Sequence, residues 1–280
     1  MTAPKSPPPE ESPQDILESE PELFKYPRTP HLTGSRLQPG DEDLAQVARS
    51  ALAGSFLVVE EKVDGANAAI SFGPQGELRL QSRGHYLRGG GAERQFDLFK
   101  TWGQAYVQTF REVLGQRYVL YGEWLYAKHT VFYDALPHYF LEFDAYDRER
   151  KVFLSTPARA RLCQGLPLAS VPVLTSGLAE ELGSLPALIA PSLFKSEAWL
   201  GSLDREAARL GQPRDLVRRQ TDPSPLSEGL YLKAERDDVV TGRFKLVRGT
   251  FLDQVQASGS HWADRPILPN QLAPGVELFS

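Results

Sequence analysis

Residues 60–70 read EEKVDGANAAI and place Lys62 between two glutamates and an Asp-Gly step, within a stretch that otherwise has the composition of a buried strand. Lysine is costly to bury, and adjacent carboxylates stabilise its charged form. A nucleophilic lysine must instead be neutral, which requires other cations or a metal ion to converge on it. The stretch therefore predicts either a strand that ends in an Asp-Gly turn or a reactive lysine on a rigid strand.

The overall composition limits the class of protein. A chain of 280 residues can bury a sizeable core, and its single cysteine, Cys163, excludes an internal disulfide framework and a cysteine-rich metal site. No run of about 20 apolar residues occurs, and the N-terminus lacks the order of a signal peptide. We therefore expect a cytoplasmic protein that does not associate with membranes.

The negative charge is concentrated at one end of the chain. Residues 1–23 contain six acidic side chains and one lysine, a net charge of −5 that equals the charge of the whole chain. Because this stretch also holds six prolines, we predict a disordered acidic leader over 1–23 and a single domain over 24–280. The neutral remainder argues against indiscriminate binding of polyanions but allows a local basic groove.

Hydrophobic periodicity predicts the elements around Lys62. Apolar spacing of three and four residues indicates an amphipathic helix over 41–52, a longer helix over 97–114 and a mostly helical stretch over 157–220. Alternating or β-branched runs predict strands over 55–62, 66–72, 77–84, 118–126, 139–146, 151–154, 229–235 and 239–247. Since no regular βαβ alternation appears, the pattern predicts an α+β fold with a mainly antiparallel sheet and flanking helices.

Five stretches occur in one order: EEKVDGANAAI, LQSRGHYL, YGEWLYAKHTVFYDALPHYFLEFDAYD, SEGLYLK and GRFKLV. Together they resemble the collinear motifs of the covalent nucleotidyltransferase superfamily, and within it those of ATP-dependent RNA ligases that seal nicks and repair RNA. The resemblance covers about residues 55–250 and implies a nucleotidyltransferase (ATP-grasp-like ligase) domain. Because only about 30 residues follow the last motif, we expect no C-terminal OB-fold.

The resemblance implies a three-step reaction. Lys62 attacks the α-phosphorus of ATP and expels pyrophosphate, AMP then passes to an RNA 5′-phosphate, and a 3′-hydroxyl displaces it. The implied cofactors are ATP and Mg²⁺ or Mn²⁺, and the implied partner is RNA with 5′-phosphate and 3′-hydroxyl ends. We expect a monomer that works in RNA repair beside an end-healing kinase or phosphatase.

The resemblance also implies roles for individual residues. Lys62, Glu228 and Lys245 form the catalytic set, and Glu123 and Glu228 are the metal ligands. The nucleotide-binding set adds the neighbour of the nucleophile, an amide, two arginines and the aromatic that stacks on adenine: Glu61, Asn67, Arg83, Arg243 and Phe143. Arg243 stands where related ligases commonly have lysine. Gly65 leaves room for a phosphate or base to approach the backbone.

Some interpretations stay open at this point. A DNA ligase, or a ligase-like fold that only binds RNA ends, shares most of these motifs. Basic residues upstream of Lys62 either grip the RNA end or the triphosphate, or lie in a loop packed on the domain: Lys25, Arg28, His31 and Arg36. Lys128 and His129 either touch RNA phosphate or, for His129, pack beside Tyr133.

Overall fold

The computed structural model describes residues 22–37, 44–259 and 262–279. The leader predicted over 1–23 lies outside these residues except for its last two positions.

Twelve strands in the described residues form one sheet. They are β1 (His31–Leu32), β2 (Gln46–Val47), β3 (Phe56–Lys62), β4 (Ala66–Phe72), β5 (Leu78–Ser82), β6 (Tyr118–Trp124), β7 (Phe140–Asp147), β8 (Val152–Leu154), β9 (Ala169–Ser170), β10 (Val173–Leu178), β11 (Gly229–Arg236) and β12 (Val239–Val247). The order β10-β3-β11-β12-β8-β7-β6-β4-β5 is antiparallel throughout, and β1, β2 and β9 add short parallel pairings. The predicted α+β fold with a mainly antiparallel sheet is confirmed at this level.

The helices of the described residues lie outside this sheet. They are α1 (Asp97–Ala105), α2 (Val107–Leu114), α3 (Thr156–Cys163), α4 (Trp199–Arg209), α5 (Arg214–Arg219) and α6 (Gly249–Ala257). Short 3-10 helices occur at Arg49–Leu52, Gly91–Phe96, Leu185–Leu188 and Trp262–Asp264. None of the helices described has the length and hydropathy needed to span a bilayer.

The sheet has two halves, and the chain passes between them beside Lys62. Strands β12 and β8 share only two residue pairs, whereas β11 and β12 share eight. One half is therefore β10-β3-β11-β12 and the other is β8-β7-β6-β4-β5. Residues 63–65 carry the chain from β3 in the first half to β4 in the second, so Lys62 ends a strand where the halves adjoin.

Two helices cover the second half of the sheet. Phe99, Trp102 and Phe110 are fully buried and pack in one cluster with Ile70 and Leu120 of the strands. The single helix predicted over 97–114 is interrupted at Tyr106, whose φ of −106° and ψ of 20° depart from helical values. The apolar stripe continues across the interruption, so the predicted core face is retained.

Two predicted helical stretches are wrong in part. Within the described part of 41–52, Gln46 and Val47 form strand β2 beside β1, and only Arg49–Leu52 turns, as a 3-10 helix. The stretch over 157–220 contains strand β10, which pairs with β3 at the edge of the sheet. In both places an adjacent strand offers backbone hydrogen bonds, and that tertiary pairing overrides the local apolar spacing.

Candidate active site

A cleft of about 1140 Å³ runs along the junction of the two half-sheets. It is lined by eight of the nine residues predicted to bind nucleotide: Glu61, Lys62, Asn67, Arg83, Glu123, Phe143, Glu228 and Lys245. The ninth, Arg243, does not line it. Residues that are up to 184 positions apart in the chain therefore meet in one cavity large enough for a nucleotide.

Lys62 forms an ion pair across two strands. Its Nζ donates to Oε2 of Glu228 at 2.7 Å, and the two side chains are 24% and 3% exposed. Glu228 directly precedes β11, where Gly229 lies opposite Lys62. A Cβ on Gly229 would lie 2.1 Å from the carbonyl oxygen of Leu246, so only glycine allows β11 to lie this close to β12.

Glu123 reaches the same place from the other half-sheet. Its Oε1 accepts the N–H of Gly65 at 3.2 Å. A Cβ on Gly65 would lie 2.6 Å from Leu125 and 2.8 Å from the carbonyl oxygen of Trp124. Protein atoms of β6 and the residue after it therefore fill the space that a side chain on Gly65 would need, so packing requires glycine here, while Gly65 also lines the cleft.

The charges around Lys62 hold it protonated. Burial lowers the pKa of Lys62, but the carboxylates of Glu228 and Glu123 outweigh that effect and raise it overall. Burial in turn raises the pKa of Glu228 to about 7 and that of Glu123 to about 8, against the opposing effect of Lys62. The nearby carboxylate of Asp64 also raises the pKa of both glutamates, so the centre has an excess of acidic groups.

The two glutamates that precede Lys62 in the sequence do not form this pair. Glu61 accepts from Ser192 Oγ at 2.5 Å and from the N–H of Leu193 at 3.1 Å, so both of its carboxylate oxygens have protein partners. Glu60 is fully buried against Arg159 and Lys233. The charge on Lys62 is therefore set mainly by Glu228 and Glu123, which are distant in the chain, and not by Glu60 and Glu61.

Aromatic side chains form a second part of the cleft. The half-buried ring of Phe143 lies 5.2 Å from the ring of Tyr26, edge-on, and 6.3 Å from that of Tyr231. The hydroxyl of Tyr231 lies 2.6 Å from that of Tyr26 and 3.0 Å from Oγ1 of Thr29. Tyr26 and Thr29 therefore line the cleft although no motif in the sequence marked them.

Arg243 belongs to a buried ion cluster instead of the cleft. Its guanidinium lies 3.8 Å from Oδ2 of Asp144 and 3.7 Å from the centre of the Phe153 ring. The other members of the cluster are Glu60, Glu142, Arg159 and Lys233, each at most 2% exposed. Arg243 thus lies two residues from Lys245 on β12, yet the two contact different surroundings.

The basic residues upstream of Lys62 do not line the cleft. His31 is fully buried, with Nδ1 2.6 Å from Ser35 Oγ, and Arg36 pairs with Asp253. Lys25 and Arg28 are exposed outside it. These positions favour a segment that packs on the domain. They do not favour the alternative, in which the segment binds the RNA end or the triphosphate. Lys128 and His129, by contrast, both line the cleft and are buried.

The carboxylates in the cleft supply part of a donor set for a metal ion. In the described parts of the chain, no group of three or more His, Cys, Asp or Glu side chains has the geometry of a metal site. Glu123 and Glu228 supply two carboxylates in an acidic centre. Magnesium is commonly held by one or two carboxylates with phosphate oxygens and water, so this donor set fits a divalent cation that arrives with a nucleotide.

A match to a protein-family model spans more than half of the chain. The family model described as RNA ligase matches residues 55–247. No curated protein sequence matches the chain.

Solved structures of similar fold include RNA ligases at low identity. A mutant of a Naegleria gruberi RNA ligase with ATP and Mn is 17% identical over 75% of this chain and 54% of its own, with a TM-score of 0.45. Another mutant of that ligase, with AMP and Mn, is 16% identical over 82% and 62%, with a TM-score of 0.45. An archaeal ATP-dependent RNA ligase is 17% identical over 81% and 49%, with a TM-score of 0.47. The chain therefore spans about half to three-fifths of the length of these proteins.

Proposed function

The chain belongs to the RNA ligase family, and on this premise we propose that it is an ATP-dependent RNA ligase that joins 5′-phosphate and 3′-hydroxyl ends through a covalent lysyl-AMP. The observation that carries the proposal is the pairing of Lys62 with Glu228 at 2.7 Å in a cleft that also holds Glu123, Lys245 and an aromatic pocket. The matched region includes all of these residues except Tyr26 and Thr29 of the pocket wall.

In the first step, Lys62 Nζ forms a bond to the α-phosphorus of ATP, and the bond from that phosphorus to pyrophosphate breaks. Lys62 must first lose a proton, because the surrounding carboxylates raise its pKa. Glu228 is the acceptor at hand: its Oε2 already receives the hydrogen bond, and its pKa is about 7. Lys245, which lowers the pKa of Glu228, stabilises charge on the phosphate.

The nucleotide and metal use the rest of the cleft. Phe143 and Tyr231 hold the adenine, since base stacking on an aromatic ring contributes about 1–3 kcal/mol. Glu123 and Glu228 would hold Mg²⁺ or Mn²⁺ together with phosphate oxygens, and the metal would neutralise phosphate charge. Asn67 faces the cleft from β4, opposite Glu123, and its buried Oδ1 accepts no hydrogen bond from the residues that the structure describes. Arg83 is exposed at the rim of the cleft. Both are suited to contact ribose or phosphate.

In the later steps, an RNA 5′-phosphate oxygen takes the AMP from Lys62, and a 3′-hydroxyl then displaces AMP to seal the strand. An RNA-repair role, action as a monomer in the cytoplasm and dependence on an end-healing kinase or phosphatase are parts of the same proposal. The need for an end-healing enzyme follows from the chemistry, because only 5′-phosphate and 3′-hydroxyl ends can be joined in this way.

The test is transfer of label from ATP labelled at the α-phosphate. We expect the protein to keep the label after denaturation, to release it onto 5′-phosphorylated RNA, and to lose all labelling in Lys62→Ala. Lys25→Ala, at an exposed lysine outside the cleft, is the matched control and should label like the wild type. Labelling that survives in Lys62→Ala contradicts the proposal, as does a wild type that neither labels nor carries AMP by mass spectrometry when purified.

A separate experiment tests whether the polynucleotide substrate is RNA or DNA. Nicked duplexes that carry RNA or DNA on the 3′-hydroxyl side are offered to the labelled enzyme. Sealing of the RNA-containing nick is expected to be faster, and faster sealing of the all-DNA nick would identify a DNA ligase instead.

A further inference from the structure

Two cations meet at one end of the cleft. Lys128 is 9% exposed, and its Nζ donates to the carbonyl oxygens of His129 at 3.1 Å and Gln220 at 2.9 Å. Arg265 donates through Nη1 to the same two carbonyl oxygens, at 3.2 Å each. Both side chains line the cleft. The two cationic side chains therefore lie close together and share the same two neutral carbonyl oxygens as acceptors.

Hydrogen bonds connect the segment after Lys128 to the loop that follows the nucleophile. Oδ2 of Asp64 accepts the N–H groups of Thr130 and Val131, both at 2.7 Å. Asp64 also interacts electrostatically with Lys62, Lys128 and Arg265. Asp64 therefore interacts with the nucleophile and with both members of the cationic pair.

The electrostatics at Lys128 favour an added anion. Burial, together with repulsion from Arg265 and Lys195, lowers the pKa of Lys128 to about 7, and Asp64 opposes the shift. Among the described residues, no carboxylate oxygen lies within ion-pair distance of Lys128. A phosphate placed here would relieve the repulsion between the two cations and restore the charge on the lysine.

The surroundings of the pair suit the end of a polynucleotide chain. Val255, which is 36% exposed, lines the cleft together with Phe251 and Ile267. An apolar wall next to two cations matches a nucleoside joined to a phosphate better than it matches a free inorganic anion.

We propose that Lys128 and Arg265 form the binding site for the 5′-terminal phosphate of the RNA. This inference rests on the proposed ligase function. In the step that it serves, an oxygen of that phosphate forms a bond to the adenylate phosphorus, and the bond from phosphorus to Lys62 Nζ breaks. The released amine of Lys62 takes up a proton. The two cations reduce the repulsion between the incoming phosphate and the adenylate.

The same place could instead hold the pyrophosphate end of ATP, because the leaving group of the first step and the attacking phosphate of the second both lie opposite Lys62. The two sources share phosphate chemistry but differ in the step that they affect. A site for the RNA phosphate alters transfer of AMP from the enzyme, whereas a site for pyrophosphate alters formation of the lysyl-AMP.

The test compares Lys128→Met with two other variants. Methionine keeps the aliphatic length and removes the charge, and Lys128→Arg restores a charge. Lys25→Met is the control, because Lys25 is a lysine at an exposed position that does not line the cleft. For each variant, the rate of lysyl-AMP formation is measured first. The rate at which isolated adenylylated protein transfers AMP to a 5′-phosphorylated oligoribonucleotide follows.

We expect Lys128→Met to slow transfer by about 10- to 100-fold, as for loss of a charged hydrogen-bond donor, with lysyl-AMP formation changed less than about threefold. Lys128→Arg should recover most of the transfer, and Lys25→Met should match the wild type. Unchanged transfer in Lys128→Met overturns the proposal and leaves the ligase function standing. Slow lysyl-AMP formation with normal transfer overturns it in favour of pyrophosphate.

A binding measurement separates failure of this inference from failure of the ligase function. Fluorescence anisotropy should show that the protein binds a 5′-phosphorylated oligoribonucleotide about 10-fold tighter than its 5′-hydroxyl counterpart, and Lys128→Met should abolish the preference. Absence of lysyl-AMP in the wild type contradicts the function, whereas absence of this preference contradicts the site. If Lys128→Met does not fold, Arg265→Met at the half-buried partner decides by the same measurements.

Discussion

Lys62 and Lys128 line the same cleft, and their pKa values are shifted in opposite directions. Carboxylates at Glu228 and Glu123 raise the pKa of Lys62, whereas burial and Arg265 lower that of Lys128 to about 7. A lysine that is neutral near pH 7 matches the usual description of a nucleophile. By that criterion alone Lys128 would be the reactive residue.

The geometry supports the other assignment. Lys62 ends a seven-residue strand that pairs with β10 on one side and β11 on the other, and it has a carboxylate with a pKa of about 7 at 2.7 Å to accept its proton. Lys128 follows the end of β6 and has carbonyl oxygens as partners, which cannot accept a proton at this pH. A lowered lysine pKa therefore marks a place where positive charge lacks compensation, and such a place suits an anion as well as a nucleophile.

A third buried lysine, Lys233, has carboxylate partners that compensate its charge. Lys233 is 1% exposed and contacts Glu60 at 2.9 Å, Asp144 at 3.3 Å and the carbonyl oxygen of Phe143. Since removing one partner leaves buried charge unpaired, we expect Lys233→Met to lower the free energy of unfolding by about 3–5 kcal/mol in urea denaturation. Lys25→Met, at an exposed site, is the control, and a loss below about 1 kcal/mol for Lys233→Met would contradict this account.

Glu228→Gln tests how Lys62 is deprotonated. Loss of the carboxylate should slow lysyl-AMP formation by about 100- to 1000-fold, the usual size for one group in a preorganised site. Because Glu228 raises the pKa of Lys62, the pH profile of the remaining activity should also move to lower pH. Single-turnover labelling across pH measures both effects. Glu112→Gln, at an exposed position on α2, is the control, and a shift to higher pH would show that Glu228 does not hold the proton on Lys62.

Phe143→Ala tests the aromatic end of the cleft. Loss of stacking should raise the KM for ATP by about 5- to 150-fold, equivalent to about 1–3 kcal/mol, with little change in the rate at saturating ATP. Phe143→Tyr retains the ring and should stay close to the wild type. An unchanged KM in the alanine variant would mean that Phe143 only packs against Tyr26.

The smallest effect expected is the pH dependence of stability at Lys128. Its pKa is lower in the folded state than in the unfolded chain, so above pH 7 the unfolded chain binds the extra proton and stability due to this residue rises with pH. Between pH 7 and pH 9, the wild type should gain on the order of 1–2 kcal/mol relative to Lys128→Met. Urea denaturation at the two pH values measures the difference, and a difference that is independent of pH would show that Lys128 is fully charged throughout.

The sequence predicted what depends on local pattern. Strands Phe56–Lys62 and Ala66–Phe72 lie where β-branched and apolar runs placed them, and the family motifs identified eight residues that line one cleft. The helix predicted over 41–52 was wrong because apolar spacing does not reveal a neighbouring strand that pairs with Gln46 and Val47.

Placement of charged side chains was harder to predict. Arg243 and Lys245 lie two positions apart on one strand, a spacing that places both side chains on the same face. Asp144 on another strand nevertheless contacts Arg243, which does not line the cleft. Lys128 and Arg265 are 137 residues apart in the chain but lie together in the fold, and no spacing in the sequence predicts this. The same holds for Gly65, whose close neighbours come from the end of β6.

The measurement that tests the central claim most directly is peptide mapping of the protein by mass spectrometry after incubation with ATP and Mg²⁺ or Mn²⁺. We expect AMP to be attached to Lys62 and the peptide that contains Lys128 to be unmodified. Attachment of AMP to Lys128, or to neither lysine under any metal, would contradict this claim.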